Sequence, residues 1–343
     1  MSRSYMRTRF VCANAILHLW DVMSTTFLTL IPVRCRGYSR STLAGRSVAL
    51  VKSGWLDRLA PLVFVLVWST GFIGARIGTR YAAPFTVLAL RLAIASCALA
   101  LLTVAFRSSW PNRSQDYRRS AIIGILLHAG YLGGTFVAVN LGLPVSVSAL
   151  VVSLQPVLVA ALSGPILGER LITRQWIGVA LGFMGVIIVL TPGLTHHSTT
   201  TYTAGAVIAA IVSLLSTTAA TIMQKRFGAS IPMLAGTSVQ YAAAAVVLVI
   251  AAAMFENFNI NWTPAFVGIL AWMIGALSIG AVLLMFWLLR RGTAASFSSL
   301  YFLVPPVTAV MAYLLFGEHL PPVALIGLAV SSFGVLLVRE RVR

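Results

Sequence analysis

The stretch ILGERLI, residues 166–172, sets a glutamate among apolar runs, and the chain writes the phrase again as LFGEHLP at 315–321. Gly168 and Gly317 stand 149 positions apart. The same offset lays Pro156 on Pro305, Glu169 on Glu318, Leu171 on Leu320, Gly178 on Gly327, and Gly185-Val186 on Gly334-Val335. The chain is therefore a tandem duplication, and whatever the first copy does in space the second does again.

Composition says in what medium. Hydrophobic residues make up 59% of the 343 positions and charged residues 9%, with a mean hydropathy of +0.93. A soluble domain is about 45–50% apolar, so this balance describes a membrane protein. A spanning helix needs roughly 20 mostly apolar residues, because the hydrocarbon core is about 30 Å thick and a helix rises about 1.5 Å per residue. Ten such runs occur, near 60–79, 84–106, 120–139, 144–166, 173–191, 203–224, 232–254, 265–289, 293–316 and 321–338. Lipid offers backbone polar groups no partners, and the runs lack the alternation of barrel strands, so the fold class is all-α.

The formal charge of +18 invites a nucleic-acid reading, but position decides against it. With the first span entering from the cytoplasm, the inward gaps hold Arg107, Arg113, Arg118, Arg119, Arg170, Arg174, Lys225, Arg226, Arg290 and Arg291, and the C-terminus adds Arg339, Arg341 and Arg343. The outward gaps TPGLTHHSTTTYT, ENFNINWTP and GEHLP hold no Lys or Arg. That asymmetry is the positive-inside rule and puts both termini in the cytoplasm of a multi-pass inner-membrane protein. Arg76 and Arg80 at the outer end of the first span are exceptions that could snorkel to the interface. Cys12, Cys35 and Cys97 form neither a disulfide framework nor a metal spacing, and no cofactor is implied.

Each copy holds five spans. Five is odd, so the second copy enters from the opposite side and is inverted relative to the first, an arrangement that recurs in secondary transporters. The expected domains are residues 58–192 and 203–340, preceded by a basic extension over 1–57 that reads as a disordered or interfacial tail.

Trp68-Ser69 early in the first copy, Pro84 and Arg91 in its second span, and the span-end proline followed by Gly-Glu together resemble the EamA-type permeases of the drug/metabolite transporter superfamily. The resemblance covers roughly residues 58–340. The second copy departs from it, with Thr217 and Gln240 where Trp68 and Arg91 map. The resemblance implies a ten-helix exporter of small metabolites, amino acids or drugs, with a cavity between the copies.

Several polar residues inside the spans have two readings each. Arg91 either binds a substrate carboxylate or phosphate through a bidentate fork or ties down helix-end carbonyls. His128, Tyr131 and Thr135 share one helical face, and His128 is either a proton sensor or a hydrogen-bonded packing residue. Ser213, Thr217, Thr221 and Gln224 form a stripe that either lines a wet cavity or bonds between helices. Trp68 with Phe72, and Phe297 with Tyr301 and Pro305, offer an apolar wall or a lipid face. Gln155 precedes Pro156, whose missing N–H frees a carbonyl or simply kinks the span. Glu169 and Glu318 read first as structural, paired with a cation or with N–H groups at a helix start, and second as proton carriers. The motifs Gly74-x-x-x-Gly78, Gly130-x-x-x-Gly134 and Gly178-x-x-x-Gly182 suit close crossings within the bundle, or secondarily a homodimer face. The candidate substrate-binding set is thus Trp68, Arg91, His128, Tyr131, Gln155, Gln240 and Tyr301, with Glu169, Glu318, Pro156 and Pro305 structural.

No carboxylate lies deep in a span, so facilitated diffusion stands beside proton coupling. A sugar-phosphate or nucleotide-sugar exchanger would need several deep cations, and Arg91 alone qualifies. An enzyme would need paired carboxylates, a metal cluster or a nucleophile with its base within the spans, and none occurs. A non-transporting membrane sensor is the remaining alternative. The expected partners are a small-molecule substrate and the bilayer.

Overall fold

The computed structural model describes residues 55–167, 172–194, 202–291, 303–318 and 322–338. Apart from one isolated bridge and short turns, its regular structure is helical. The first copy contains α1 (Trp55–Gly78), α2 (Pro84–Ala105), α3 (Ser114–Asn140), α4 (Val145–Val152), α5 (Gln155–Leu167) and α6 (Thr173–Leu194). The second contains α7 (Ala204–Phe227), α8 (Met233–Phe255), α9 (Pro264–Trp272, continuing as Met273–Ala281 and Val282–Arg291), α10 (Val304–Phe316) and α11 (Pro322–Val338).

Local chemistry sets the ends. Pro84 and Pro264 open their helices, where a missing N–H costs nothing. The Thr203 and Thr263 hydroxyls accept from the N–H groups of Ala206 and Phe266. Gly317 ends α10 with φ at +66°, a left-handed conformation that a side chain would strain.

The offset of 149 holds in three dimensions. Trp55–Gly78 maps residue for residue onto Ala204–Phe227, and Gln155–Leu167 onto Val304–Phe316. Among the described residues six helices are long and apolar enough to cross a membrane, those beginning at Leu59, Pro84, Ser114, Ala204, Met233 and Pro264. Shorter apolar helices cover 145–159, 176–189, 304–316 and 322–334. The expected unbroken span at 144–166 is in fact two helices. The chain leaves helical geometry at Ser153-Leu154, because Pro156 has no N–H to give the Val152 carbonyl. Pro305, the counterpart of Pro156, falls in the first turn of α10.

Neither α3 nor α9 is a plain α-helix. Ile125–Gly130 and Met273–Ala281 are π-helical, at nearly equivalent places in the two copies. A π turn has one extra residue and redirects the side chains beside it.

The copies pack by exchange. Helix α2 lies against its own counterpart α8, and α6 against its counterpart α11; α1 packs on α9 as α7 packs on α3. A Cβ on Gly185 would fall 2.5 Å from the Gly327 carbonyl oxygen, and one on Gly334 would fall 2.7 Å from that of Gly178. The repeat-aligned glycines are therefore the crossing points, and as α6 ascends in number α11 descends, so these equivalent helices are antiparallel. The same holds for α2 and α8, where Ser96 meets Ser238 and Phe85 meets Glu256.

The largest buried cluster draws on both copies, including Phe64, Leu88, Leu92 and Phe136 with Tyr241, Leu248, Phe266 and Met273. Large apolar side chains such as Leu101, Val104, Phe255 and Leu314 point outward, as a lipid-facing perimeter requires. Loops that the charge pattern assigns to one side do meet. The Asn261 N–H donates to the Tyr81 carbonyl at 2.8 Å, and Ala82 bridges Ile260.

Candidate functional site

Arg91 stands seven residues into α2, roughly 10 Å from its start at about 1.5 Å per residue. It is 5% exposed. An arginine at the centre of a spanning helix costs about 2.5–3.5 kcal/mol unless it is partnered or hydrated. Its Nε donates to the Ser278 hydroxyl at 2.9 Å, and among the described residues no carboxylate pairs with it.

The partner comes from the other copy. Ser278 lies within the π-helical part of α9, and its carbonyl accepts from the Tyr241 phenol of α8 at 2.7 Å. The Tyr241 ring meets the His128 imidazole edge-on, with centroids 4.5 Å apart, and His128 lies in the π-helical part of α3. Both π turns thus deliver a polar side chain to one place. Tyr131, one turn further along α3, lies near Arg91 and Trp68. Gln240 neighbours His128 and donates to Gln224 Oε1 at 3.3 Å.

His128 is 7% exposed, and its Nε2 has no hydrogen-bond partner among the described residues. A buried polar atom left unpaired costs about 1–3 kcal/mol. A group held there despite that cost, beside a cation lacking a counter-ion, suits an incoming polar molecule.

Of the expected set, Trp68, Arg91, His128, Tyr131 and Gln240 come together around this group. Gln155 does not take part through its own bond, since its amide donates to the Thr221 hydroxyl at 2.6 Å and ties α5 to α7. Tyr301 and Glu169 lie outside the described residues. The hydroxyl stripe of α7 bonds between helices: Ser213 Oγ lies 2.8 Å from Thr135 Oγ1 and donates to the Tyr131 carbonyl at 2.8 Å.

Glu318 caps and pairs at once. Its carboxylate lies 3.3 Å from Arg76 and accepts from the Val145 N–H at 3.4 Å, at the start of α4 in the other copy. Arg76, an exception to the charge pattern, thus has an acidic partner, and both it and Arg80 lie over the Phe316 ring.

Two residues escaped sequence reasoning. Ser278 is the single hydroxyl in the run 265–289, which was the available signal. Glu256 follows the seventh span directly and accepts from the N–H groups of Phe85 and Thr86, both at 2.8 Å, and from the Thr86 hydroxyl at 2.7 Å. No local pattern announces a cap supplied from 170 residues away.

The comparisons agree with this architecture. A protein of Streptantibioticus cattleyicolor named "Probable terminal-alkyne amino-acid exporter" is 29% identical over 308 residues, 85% of this chain and 95% of that one. The "Uncharacterized inner membrane transporter YedA" of Escherichia coli (strain K12) is 28% identical over 276 residues, 80% of this chain and 87% of that one. A solved crystal structure, 20% identical, superposes with a TM-score of 0.58 over 82% of this chain and 96% of its own, which speaks for the fold. The model of the EamA-like transporter family matches twice, at residues 58–191 and 204–339. Those matches fall on the two helical copies that meet around Arg91 and Ser278, and the chain belongs to the EamA-like transporter family.

Proposed function

We propose that this membrane transporter exports small, partly apolar metabolites from the cytoplasm by alternating access. Two inverted five-span copies, 58–192 and 203–340, face each other across the polar group at Arg91, and residues 1–57 lie outside them as a basic extension. The observation that carries the reading is the Arg91–Ser278 bond, a deep polar contact made between copies. A substrate held there touches both halves, so their relative movement changes which side it can reach. The odd number of spans and the antiparallel pairing of equivalent helices support inversion. The positive-inside pattern supports cytoplasmic termini.

In this reading Arg91 anchors the substrate, Trp68 and Tyr131 form a wall, and His128 and Gln240 supply directional hydrogen bonds. The break before Gln155-Pro156 gives the fourth span its hinge. No acidic residue occupies the middle of an expected span, which favours movement down the substrate gradient over coupling through a buried carboxylate. The name of the S. cattleyicolor relative makes amino acids and their derivatives the first panel to try.

Uptake of that labelled panel into inside-out vesicles, with and without a proton gradient, tests the reading. Uptake above that of vesicles lacking the protein is expected, and the Arg91→Ala variant should lose it at least tenfold for anionic members. If no panel member moves while the purified protein binds one tightly, the sensor alternative replaces transport. Reporter fusions placing residues 169 and 318 on the same side would end the inverted-repeat reading.

A further inference from the structure

Resting on the transport reading above, we propose that the substrate crosses as a carboxylate of net charge −1 with no free ammonium group, and that the site passes over zwitterionic amino acids. The whole chain has seven acidic residues: Asp21, Asp57, Asp116, Glu169, Glu256, Glu318 and Glu340. Asp57 is the third residue of α1, and Asp116 the third of α3, where it pairs with Arg119 at 3.6 Å. Glu256 is engaged by the start of α2, and Glu318 by Arg76 and the start of α4. Glu169 follows the helix that ends at Leu167, and Glu340 follows the one that ends at Val338.

Among the described residues no carboxylate sits beside Arg91. The guanidinium is buried with a neutral hydroxyl for a partner, and a cation so placed favours an arriving counter-charge. The groups gathered around it suit one carboxylate. Arg91 offers N–H groups in a planar fork, the Tyr131 phenol lies nearby, and His128 presents an unpartnered Nε2. A monoanion leaves the occupied site neutral. A zwitterion brings its own ammonium within a few ångströms of the guanidinium, with no acidic side chain among the described residues to receive it, and leaves the site at +1. An N-acyl amino acid, a 2-oxo acid or a hydroxy acid meets the requirement, whereas a free amino acid does not.

A monoanion carries charge, which gives a readout independent of any variant. The full-length protein would be reconstituted into liposomes, with a potassium gradient and valinomycin setting the membrane potential at pH 7.5. Labelled leucine and phenylalanine would be compared with their N-acetyl forms. The acetylated pair should enter above the protein-free background, at least tenfold faster than the free amino acids, and their distribution should follow the potential with the sign of an anion. The expected steady ratio is about 50-fold per 100 mV, from one elementary charge across that potential. Arg91→Gln should remove the preference for the acetylated pair. Free amino acids moving as fast as the acetylated forms, indifferent to the potential, would overturn the charge assignment and leave transport standing. If no probe moves, both readings fall.

Discussion

Replacing Glu256 is expected to weaken the end of the bundle where α2 begins by an amount the structure allows us to work out. The start of α2 has few N–H groups to satisfy. Pro84 has none, and the Val87 N–H donates to the Ala83 carbonyl at 3.0 Å. Ala83, at the cap position, has no side chain to help. That leaves Phe85 and Thr86, and both N–H groups point at the Glu256 carboxylate at 2.8 Å, with the Thr86 hydroxyl at 2.7 Å. Hydrogen bonds to a charged group contribute about 1.5–3 kcal/mol each when buried, and a carboxylate at a helix N-terminus adds about 0.3–1 kcal/mol. Glu256 is half-buried, so water replaces part of what is lost. Glu256→Ala should therefore cost about 2–3 kcal/mol, and Glu256→Gln, which keeps one acceptor oxygen, about 1–2 kcal/mol. At about 2 °C per kcal/mol for a chain of this size, thermal unfolding in detergent should fall by about 4–6 °C for the alanine variant and about 2–4 °C for the glutamine variant. Tryptophan fluorescence during heating measures both. An alanine variant unfolding within about 1 °C of the parent protein would refute the capping argument, as would a glutamine variant weaker than the alanine one.

Three further outcomes follow from the packing and the polar contacts. Gly185→Ala places a Cβ 2.5 Å from the backbone of Gly327 and Ser331; α6 and α11 must part, at a cost of about 1–3 kcal/mol, and the yield of monodisperse protein should drop. Glu318→Gln removes an ion pair with a partly exposed arginine, worth about 0.2–1 kcal/mol, and weakens the cap on α4; unfolding should shift by no more than about 4 °C, and a loss of folded protein would contradict this. Tyr241→Phe releases the Ser278 carbonyl and costs about 1 kcal/mol of stability. Because Ser278 also holds Arg91, that variant should raise the KM for an anionic substrate several-fold while leaving protein yield unchanged, and an unaltered KM would separate Tyr241 from the site.

The duplication and the helical class were legible in the sequence because each is a property of position along the chain. An offset of 149 is counted and an apolar run of about 20 residues is measured without knowing any contact. The glycines at 178 and 185 and their copies were visible too, although their reciprocal meeting was not. What the tertiary structure decided is which residues from distant helices share a place. The π turns in α3 and α9 redirect His128 and Ser278 toward Arg91, and nothing in residue type announces the extra residue in such a turn. Gln155 stood out in the sequence through its proline neighbour, whereas the partner of its amide, Thr221, was fixed by how α5 crosses α7. Glu256 and Glu318 each cap a helix of the other copy, over 170 residues away. The physical reason is common to all of these. Transfer into lipid acts on each segment separately and leaves its mark in composition, whereas a buried charge or an orphaned N–H must find its partner across the bundle, and that choice is made only when the helices pack.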